Sequence, residues 1–176
     1  KFCAISTCAP VEVFFFRPAF PAHCWSRNRV TPGPAVSELP ILRMPMEMRT
    51  RGVMNVYDVK RYGAIVRTMR RVIREQGITQ VHCGRTLNEG FAAYLVKKFT
   101  GIPYLVHVHG EELSGTATSR ELTWMAHRVF RSASIVLASS FNAKQLLLDS
   151  WNVPEAKIRV VHPGVDAQKL VTASPD

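Results

Sequence analysis

Histidine and glutamate side chains follow an apolar run of strand length in the stretch GIPYLVHVHGEEL, which ends at Leu113. Such a run behind Gly and Pro is typical of a central parallel strand covered on both faces. Ligands of parallel sheets bind outside the carboxyl ends of the strands. We therefore expect residues 107–113 to form a polar loop in which the chemistry of this protein lies.

Two further predicted strands end in polar loops, Cys83 to Thr86 and Ser139 to Asn142. Carboxyl ends of parallel strands share one rim of the sheet, so the three loops should face a common crevice. The side chains that they offer to it are Arg85, His109, Glu111, Glu112, Ser140 and Asn142. A guanidinium group pairs with phosphate or carboxylate in a forked geometry, and an imidazole can donate to a sugar hydroxyl or a phosphate oxygen.

The two histidines of the first loop are not equivalent. His107 and His109 have the same strand parity, so at least one of them could be a buried, hydrogen-bonded structural residue. His109 lies at the strand end before Gly110, where backbone and ligand can approach closely, which makes it the better ligand. The chain has none of the common nucleophile or phosphate-loop motifs. Paired acid and base catalysis by Glu111 and Glu112 is disfavoured because sequence neighbours point apart.

Helical and strand patterns alternate from residue 57 onwards. Residues 57–76 are predicted to form an amphipathic helix that ends at Gly77, with Tyr62, Ile65, Val66, Met69, Val72 and Ile73 inward. Strands are expected at Ile78 to Cys83, Gly101 to the first loop, Ile135 to Ala138 and Ile158 to Val161. Helices are expected at Leu87 to Thr100, from a Thr118–Glu121 capping box to about Arg131, and at Ala143 to Trp151. This alternation predicts an α/β fold, a Rossmann-like parallel sheet flanked by helices.

Residues 1–56 lack such a pattern. We expect one strand at Val11 to Phe16, a proline-rich loop, and a short strand that ends near Met44. A metal site formed by Cys3, Cys8, His23 and Cys24 is disfavoured because the spacing is loose, and free thiols in a reducing cytosol are the simpler interpretation.

Positive charge is concentrated in one third of the chain. The net charge is +10, and most of the excess lies between Arg43 and Arg74. The outer face of the first helix carries Lys60, Arg67, Arg70, Arg71 and Arg74. Either this face is merely solvated, or it attracts anionic lipid headgroups or another polyanion. Nucleic acid is disfavoured because no aromatic stripe accompanies the arginines.

Three motifs together resemble the amino-terminal domain of family 4 glycosyltransferases, which are retaining enzymes of the two-domain GT-B architecture. They are the histidine and glycine after the strand, ASIVLASS at 133–140, and KIRVVHPGVD at 157–166. The resemblance covers about Tyr57 to Asp166. It divides the chain into an irregular, poorly matched part at 1–56, the domain at 57–166 and the start of an interdomain linker at 167–176.

The resemblance implies that this domain binds the sugar acceptor and that a second Rossmann-like domain binds the nucleotide sugar. The residue matching His109 would lie beside the transferred sugar and the donor phosphates. Gly110 and Glu111 would border the cleft, with Arg85 as a weaker correspondence. Transfer would need no cofactor and no catalytic metal, since the nucleotide sugar is a substrate.

Two features depart from the family pattern. Cys24, Trp25 and Ser26 stand where a glycine pair would contact the donor phosphate, and no two glutamates have the spacing of the donor-site E-x7-E motif. We expect the donor domain to be missing and the isolated chain to be inactive.

Two functions remain open at this point. The leading one is transfer of a sugar to a glycan or lipid-linked acceptor, and the alternative is a non-catalytic module that docks on anionic membrane or another polyanion through residues 57–76. No apolar stretch approaches the roughly 18 residues that span a bilayer. We expect the protein in the cytoplasm, either free or at the inner face of the membrane.

Overall fold

The computed structural model describes the backbone of three strands among residues 1–52, and then Val53 and residues 55–164 in full. The strands of the first part are β1 (Cys3–Thr7), β2 (Val11–Phe16) and β3 (Ile41–Arg43). The remaining elements are α1 (Val56–Gln76), β4 (Gln80–Cys83), α2 (Glu89–Thr100), β5 (Tyr104–Val108), α3 (Glu111–Ala117), α4 (Arg120–Ser132), β6 (Ile135–Ala138), α5 (Phe141–Asp149), a 3₁₀ turn (Glu155–Lys157) and β7 (Ile158–Val160).

The seven strands form one sheet in the order β3-β1-β2-β4-β5-β6-β7. The strands β4 to β7 are parallel, with Cys83 opposite Val106 and Val108 opposite Ala138. The predicted α/β fold with a parallel sheet is therefore confirmed for residues 80–160. The helices between these strands provide the long crossover connections that parallel pairing requires.

The sheet is mixed at its other end. The strand β2 was predicted with its observed bounds, but it runs antiparallel to both β1 and β4. The strand β1 was not predicted. Only three residues separate β1 from β2, which is too short for a parallel crossover, so the two strands pair as an antiparallel hairpin.

The first helix has the predicted face and the predicted end. Asn55 caps its amino terminus by accepting a hydrogen bond from the Tyr57 backbone N–H at 2.8 Å, and Gly77 ends it with φ of 62°. Its inward residues join one apolar cluster with α2, α4 and the sheet, in which Val106, Val129 and Val136 are fully buried. The predicted basic residues of its outer face are exposed.

The start of α4 differs from the prediction. Ser119, not Thr118, caps this helix, and it accepts a hydrogen bond from the Leu122 backbone N–H. The Thr118 hydroxyl donates to the Gly115 carbonyl oxygen at 2.7 Å, and the Glu121 carboxylate accepts from the Val53 backbone N–H. The capping box was therefore wrong: Thr118 ends the preceding helix, and Glu121 binds a residue far away in sequence.

The predicted polar loop at 107–113 is also much shorter than expected. The strand β5 includes His107, and the helix α3 begins at Glu111, so only His109 and Gly110 lie between them. Glutamates in the first turn of a helix interact favourably with its positive end, which suits Glu111 and Glu112. With 7 residues, α3 is too short to show a helical period in the sequence.

Candidate functional site

The candidate site lies at the carboxyl ends of β4, β5 and β6. These strands are adjacent and parallel, so Cys83, Val108 and Ala138 end at one edge of the sheet. The amino termini of α2 and α5 begin at the same edge, and such helix ends favour negatively charged groups. The edge thus has the geometry expected of a ligand-binding rim.

The loop after β4 wraps its backbone around a buried carboxyl group. Glu89 is fully buried, and its Oε2 atom accepts a hydrogen bond from the Arg85 backbone N–H at 2.9 Å. Within the described part of the chain, the Glu89 Oε1 atom has no hydrogen-bond partner. The next residue, Gly90, permits this packing because a Cβ atom there would lie 3.0 Å from the Arg85 carbonyl oxygen.

Burial makes Glu89 a much weaker acid than an exposed glutamate. It raises the pKa of this carboxyl from 4.5 to about 8, against the opposing effect of the Arg85 and Gly84 backbone N–H groups and the Arg85 charge. Near neutral pH the group is therefore mainly protonated. A neutral carboxyl can donate one hydrogen bond as well as accept, so Glu89 could hold a proton at the rim.

The loop after β5 presents His109 to solvent. This side chain is exposed, and it precedes Gly110, whose φ of 93° lies in the region that favours glycine. Glu111 is exposed at the start of α3. Glu112 turns the other way, and its Oε1 atom accepts a hydrogen bond from the Thr86 hydroxyl at 2.8 Å.

The Thr86–Glu112 hydrogen bond joins the first two loops. Burial raises the pKa of the Glu112 carboxyl, although the Thr86 hydroxyl and the nearby His109 and Arg85 favour its ionised form. Glu112 in turn adds to the raised pKa of Glu89. The interacting carboxyl groups of this rim are therefore Glu89 and Glu112, and Glu111 and Glu112 point apart as the sequence suggested.

The loop after β6 adjoins the second one. The Ser139 backbone N–H donates to the Val108 carbonyl oxygen at 3.0 Å, and a Cβ atom on Gly110 would lie 3.7 Å from that of Ala143. Ser140 caps α5 by accepting from the Ala143 backbone N–H at 3.1 Å. Asn142 is not a cap. It lies in the first turn of α5 and is exposed.

His107 has different surroundings from His109. It lies within β5 and is half-buried, on the same side of the sheet as His82. Burial, together with the His107 imidazole, lowers the pKa of His82 to about 3, so His82 is neutral. The Nε2 atom of His82 lies 3.3 Å from the Gln80 side-chain oxygen.

The structure thus brings Arg85, His109 and Glu112 together at one rim, and it places Ser140 and Asn142 on the adjoining loop. Sequence reasoning missed Thr86 and Glu89. One feature of the sequence could have identified Glu89. It is an acidic residue in the first turn of a predicted helix, and this helix directly follows a polar loop at a strand end. The predicted basic side chains Arg67, Arg70, Arg71 and Arg74 lie on α1 and are not part of this rim.

No group of three or more His, Cys, Asp or Glu side chains in the described residues is placed to hold a metal ion. The residues of the disfavoured metal site, Cys3, Cys8, His23 and Cys24, lie where the structure describes no side chains, and so do Trp25 and Ser26. Cys83 is buried, and its thiol lies 3.7 Å from the Glu89 carbonyl oxygen. Among helices that the structure describes, none has the length and apolar character needed to cross a bilayer.

A family model supplies the observation that decides the family. The model for Glycosyltransferase Family 4 matches residues 26–169 of the 176-residue chain. The chain belongs to this family. The match includes the three strand-end loops and all the site residues named above, so the rim is part of a glycosyltransferase family 4 domain.

A solved structure at low sequence identity shows the same fold. A glycosyltransferase from Rickettsia africae ESF-5 is 22% identical with a TM-score of 0.52, over 82% of this chain and 37% of that chain. The MnaA protein of S. aureus, solved with UDP, is 15% identical with a TM-score of 0.49, over 69% of this chain and 35% of that chain. The chain thus spans little more than a third of the length of either protein. None of the curated proteins compared with this sequence matches it.

Proposed function

We propose that this chain is the amino-terminal, acceptor-side domain of a retaining glycosyltransferase that transfers a sugar from a nucleotide-sugar donor to a glycan or lipid-linked acceptor. The observation that carries the proposal is the family match over residues 26–169. The position of an exposed histidine and an arginine at the carboxyl rim of the sheet supports it.

His109 is the proposed catalytic residue. An exposed imidazole next to a glycine with positive φ leaves room for a sugar ring and a phosphate group to approach the backbone. In a retaining transfer, an oxocarbenium-like sugar and a departing diphosphate develop opposite charges. Positioned donors beside these groups stabilise the transition state, and His109 would act in this way.

The other rim residues would bind and position the substrates. Arg85 is exposed on the loop after β4, and its guanidinium group could pair with a phosphate or carboxylate. Ser140 and Asn142 would contact acceptor hydroxyl groups, and Gly110 and Glu111 would border the cleft. Glu112 acts through Thr86 by holding the first two loops together.

Turnover in this proposal needs a second domain that binds the nucleotide sugar, so residues 1–176 alone would be inactive. Catalysis would need neither a metal nor another cofactor. The site would face the cytoplasm, and a lipid-linked acceptor would place the enzyme at the inner face of the membrane.

The test is a sugar-transfer assay on the complete polypeptide that contains this chain, with a panel of nucleotide sugars. Replacing His109 with alanine should lower kcat by about 10²- to 10³-fold, as for other transition-state donors, without changing the melting temperature. His127→Ala is the matched control, because this half-buried histidine lies on α4 and not at the rim, with its ring centre 5.2 Å from that of Trp151. Full activity of the His109 variant with every donor would refute the proposed role.

A second function is proposed for the basic outer face of α1, namely docking on an anionic membrane or another polyanion. The observation that favours it is the exposure of Arg67, Arg70, Arg71 and Arg74 without an ion pair to any residue that the structure describes. Liposome sedimentation tests it. Binding that persists after Arg67, Arg70 and Arg71 are changed to glutamate would exclude this face.

A further inference from the structure

A groove opens between the second half of α1 and the carboxyl-terminal end of α2. Its volume is about 270 Å³, much larger than the ~10–15 Å³ that one water molecule needs. The lining residues are Arg67, Arg70, Ile73, Arg74 and Thr100. Because α2 begins at the candidate site and ends at the groove, its 12 residues separate the two by roughly 17 Å.

Three guanidinium groups surround this groove. Arg67, Arg70 and Arg74 are spaced by three and four residues, so they lie on one face of α1, where like charges repel each other. Of the three, Arg74 lies in the last turn of α1, where the negative helix end offsets part of this repulsion. No acidic side chain of the described residues forms an ion pair with any of the three arginines. The groove is therefore suited to an anion.

An exposed aromatic ring adjoins the arginines. The guanidinium carbon of Arg70 lies 5.2 Å from the centre of the Phe99 ring, and Phe99 is 63% exposed. Stacking orients a guanidinium group while its N–H groups remain free to donate. A free phosphate ion gains nothing from an exposed phenyl ring. Such a ring beside cationic side chains is typical of surfaces that contact lipid headgroups and the start of the acyl chains.

We propose that this groove is a discrete binding site for the phosphate group of an anionic phospholipid, with Arg67, Arg70 and Arg74 as donors and Phe99 in contact with the membrane surface. The inference rests on the second proposed function and deepens it, since it assigns membrane docking to three arginines and not to the whole basic face. Arg71 and Lys60 are exposed on the same helix but do not line the groove. Replacing Arg71 and Lys60 should therefore have little effect on docking if the groove is a discrete site, and a full effect if the whole basic face docks.

The experiment is flotation of the 176-residue chain with vesicles of phosphatidylcholine, with and without phosphatidylglycerol, at one fixed ionic strength. Two double variants are compared, Arg67→Gln with Arg70→Gln in the groove, and Lys60→Gln with Arg71→Gln outside it. Each pair removes two charges from exposed positions of α1, and circular dichroism and a melting curve verify that both variants fold. Phe99→Ser is tested separately.

The groove pair should weaken binding to anionic vesicles by about 25-fold, since each arginine near such a surface contributes about fivefold. The control pair should weaken it by less than about fivefold, and Phe99→Ser should weaken binding while all the charges remain. If the two double variants lose vesicle binding equally, the groove is not a discrete site, and the whole basic face is the docking surface. Absence of vesicle binding by the unchanged chain would overturn both.

A competition arm separates the two sources of phosphate. Inorganic phosphate at constant ionic strength should displace the chain from vesicles only weakly, because it lacks the contact with Phe99. Inorganic phosphate could instead raise the melting temperature of the unchanged chain but not of the groove variant, while the chain does not bind the vesicles. In that case the ligand is a free phosphate and the lipid assignment is wrong.

Discussion

Replacing Glu89 with glutamine should stabilise the folded protein at alkaline pH and have little effect in acid. Glutamine has the shape of a protonated glutamate and keeps an oxygen that can accept from the Arg85 backbone N–H. It cannot ionise, so the cost of a buried negative charge disappears. The stabilisation of the variant relative to the wild type must therefore increase with pH.

The sign and size follow from the pKa of Glu89, which burial raises from 4.5 to about 8. Between these values the folded state binds more protons than the unfolded state, so this group's contribution to stability is fully present below pH 4.5 and is lost as pH rises through 8. At about 1.4 kcal/mol per pKa unit, the wild-type protein should lose about 4 kcal/mol of folding free energy between pH 5 and pH 9 through this group. The Glu89→Gln variant should not lose this folding free energy.

The assay is urea unfolding followed by circular dichroism at pH 5, 7 and 9. Taking the difference between variant and wild type at each pH cancels the titration of groups that do not interact with Glu89. Glu111→Gln is the matched control, because this exposed glutamate lies near the same rim and its replacement should change stability by about 0.5 kcal/mol or less. If the difference for Glu89→Gln is the same at pH 5 and pH 9, the reasoning about its buried proton is wrong.

Three further substitutions, the first with a glycine control, test the packing and hydrogen bonding around the site by urea unfolding. Gly90→Ala should cost about 1–3 kcal/mol because the new Cβ atom would lie 3.0 Å from a backbone oxygen, whereas Gly63→Ala, in open space on α1, should stabilise by about 0.5–1 kcal/mol. Equal effects at these glycines would contradict the close approach. Thr86→Val removes the hydroxyl that donates to Glu112 and should cost about 1.5–3 kcal/mol, and a loss below 0.5 kcal/mol would show that this bond does not join the loops. Leu147→Ala should cost about 2–5 kcal/mol, because this side chain is fully buried, and a smaller loss would indicate that α5 packs loosely.

Most elements from residue 56 to 160 were predictable because their signals are local. The apolar side chains of α1 recur with the period of a helix, and Gly77 and Gly101 end α1 and α2 with positive φ, as expected of glycine. Buried parallel strands appear as short apolar runs. The rim itself then follows from topology, since parallel strands with helical crossovers must present their carboxyl ends together. His109 and Arg85 were located by this reasoning.

Elements without a local signal were missed or misread. The helix α3 is too short for a period to show, so residues 107–113 looked like a loop. At residues 118–121 the spacing of Thr118 and Glu121 predicted a capping box, but Ser119 caps the helix. The Glu121 carboxylate instead accepts from the Val53 backbone N–H, and this contact joins residues 68 positions apart, for which the sequence has no local signal.

The sequence by itself determined the helices other than α3, the parallel strands and the rim that bears His109. Only the tertiary structure decided which carboxyl groups interact there, because the Thr86–Glu112 hydrogen bond spans 26 positions and the burial of Glu89 depends on packing from several elements. The same holds for the basic face of α1. Its charge is evident in the sequence, but the groove that separates Arg67, Arg70 and Arg74 from Arg71 exists only where the end of α2 packs beside that helix.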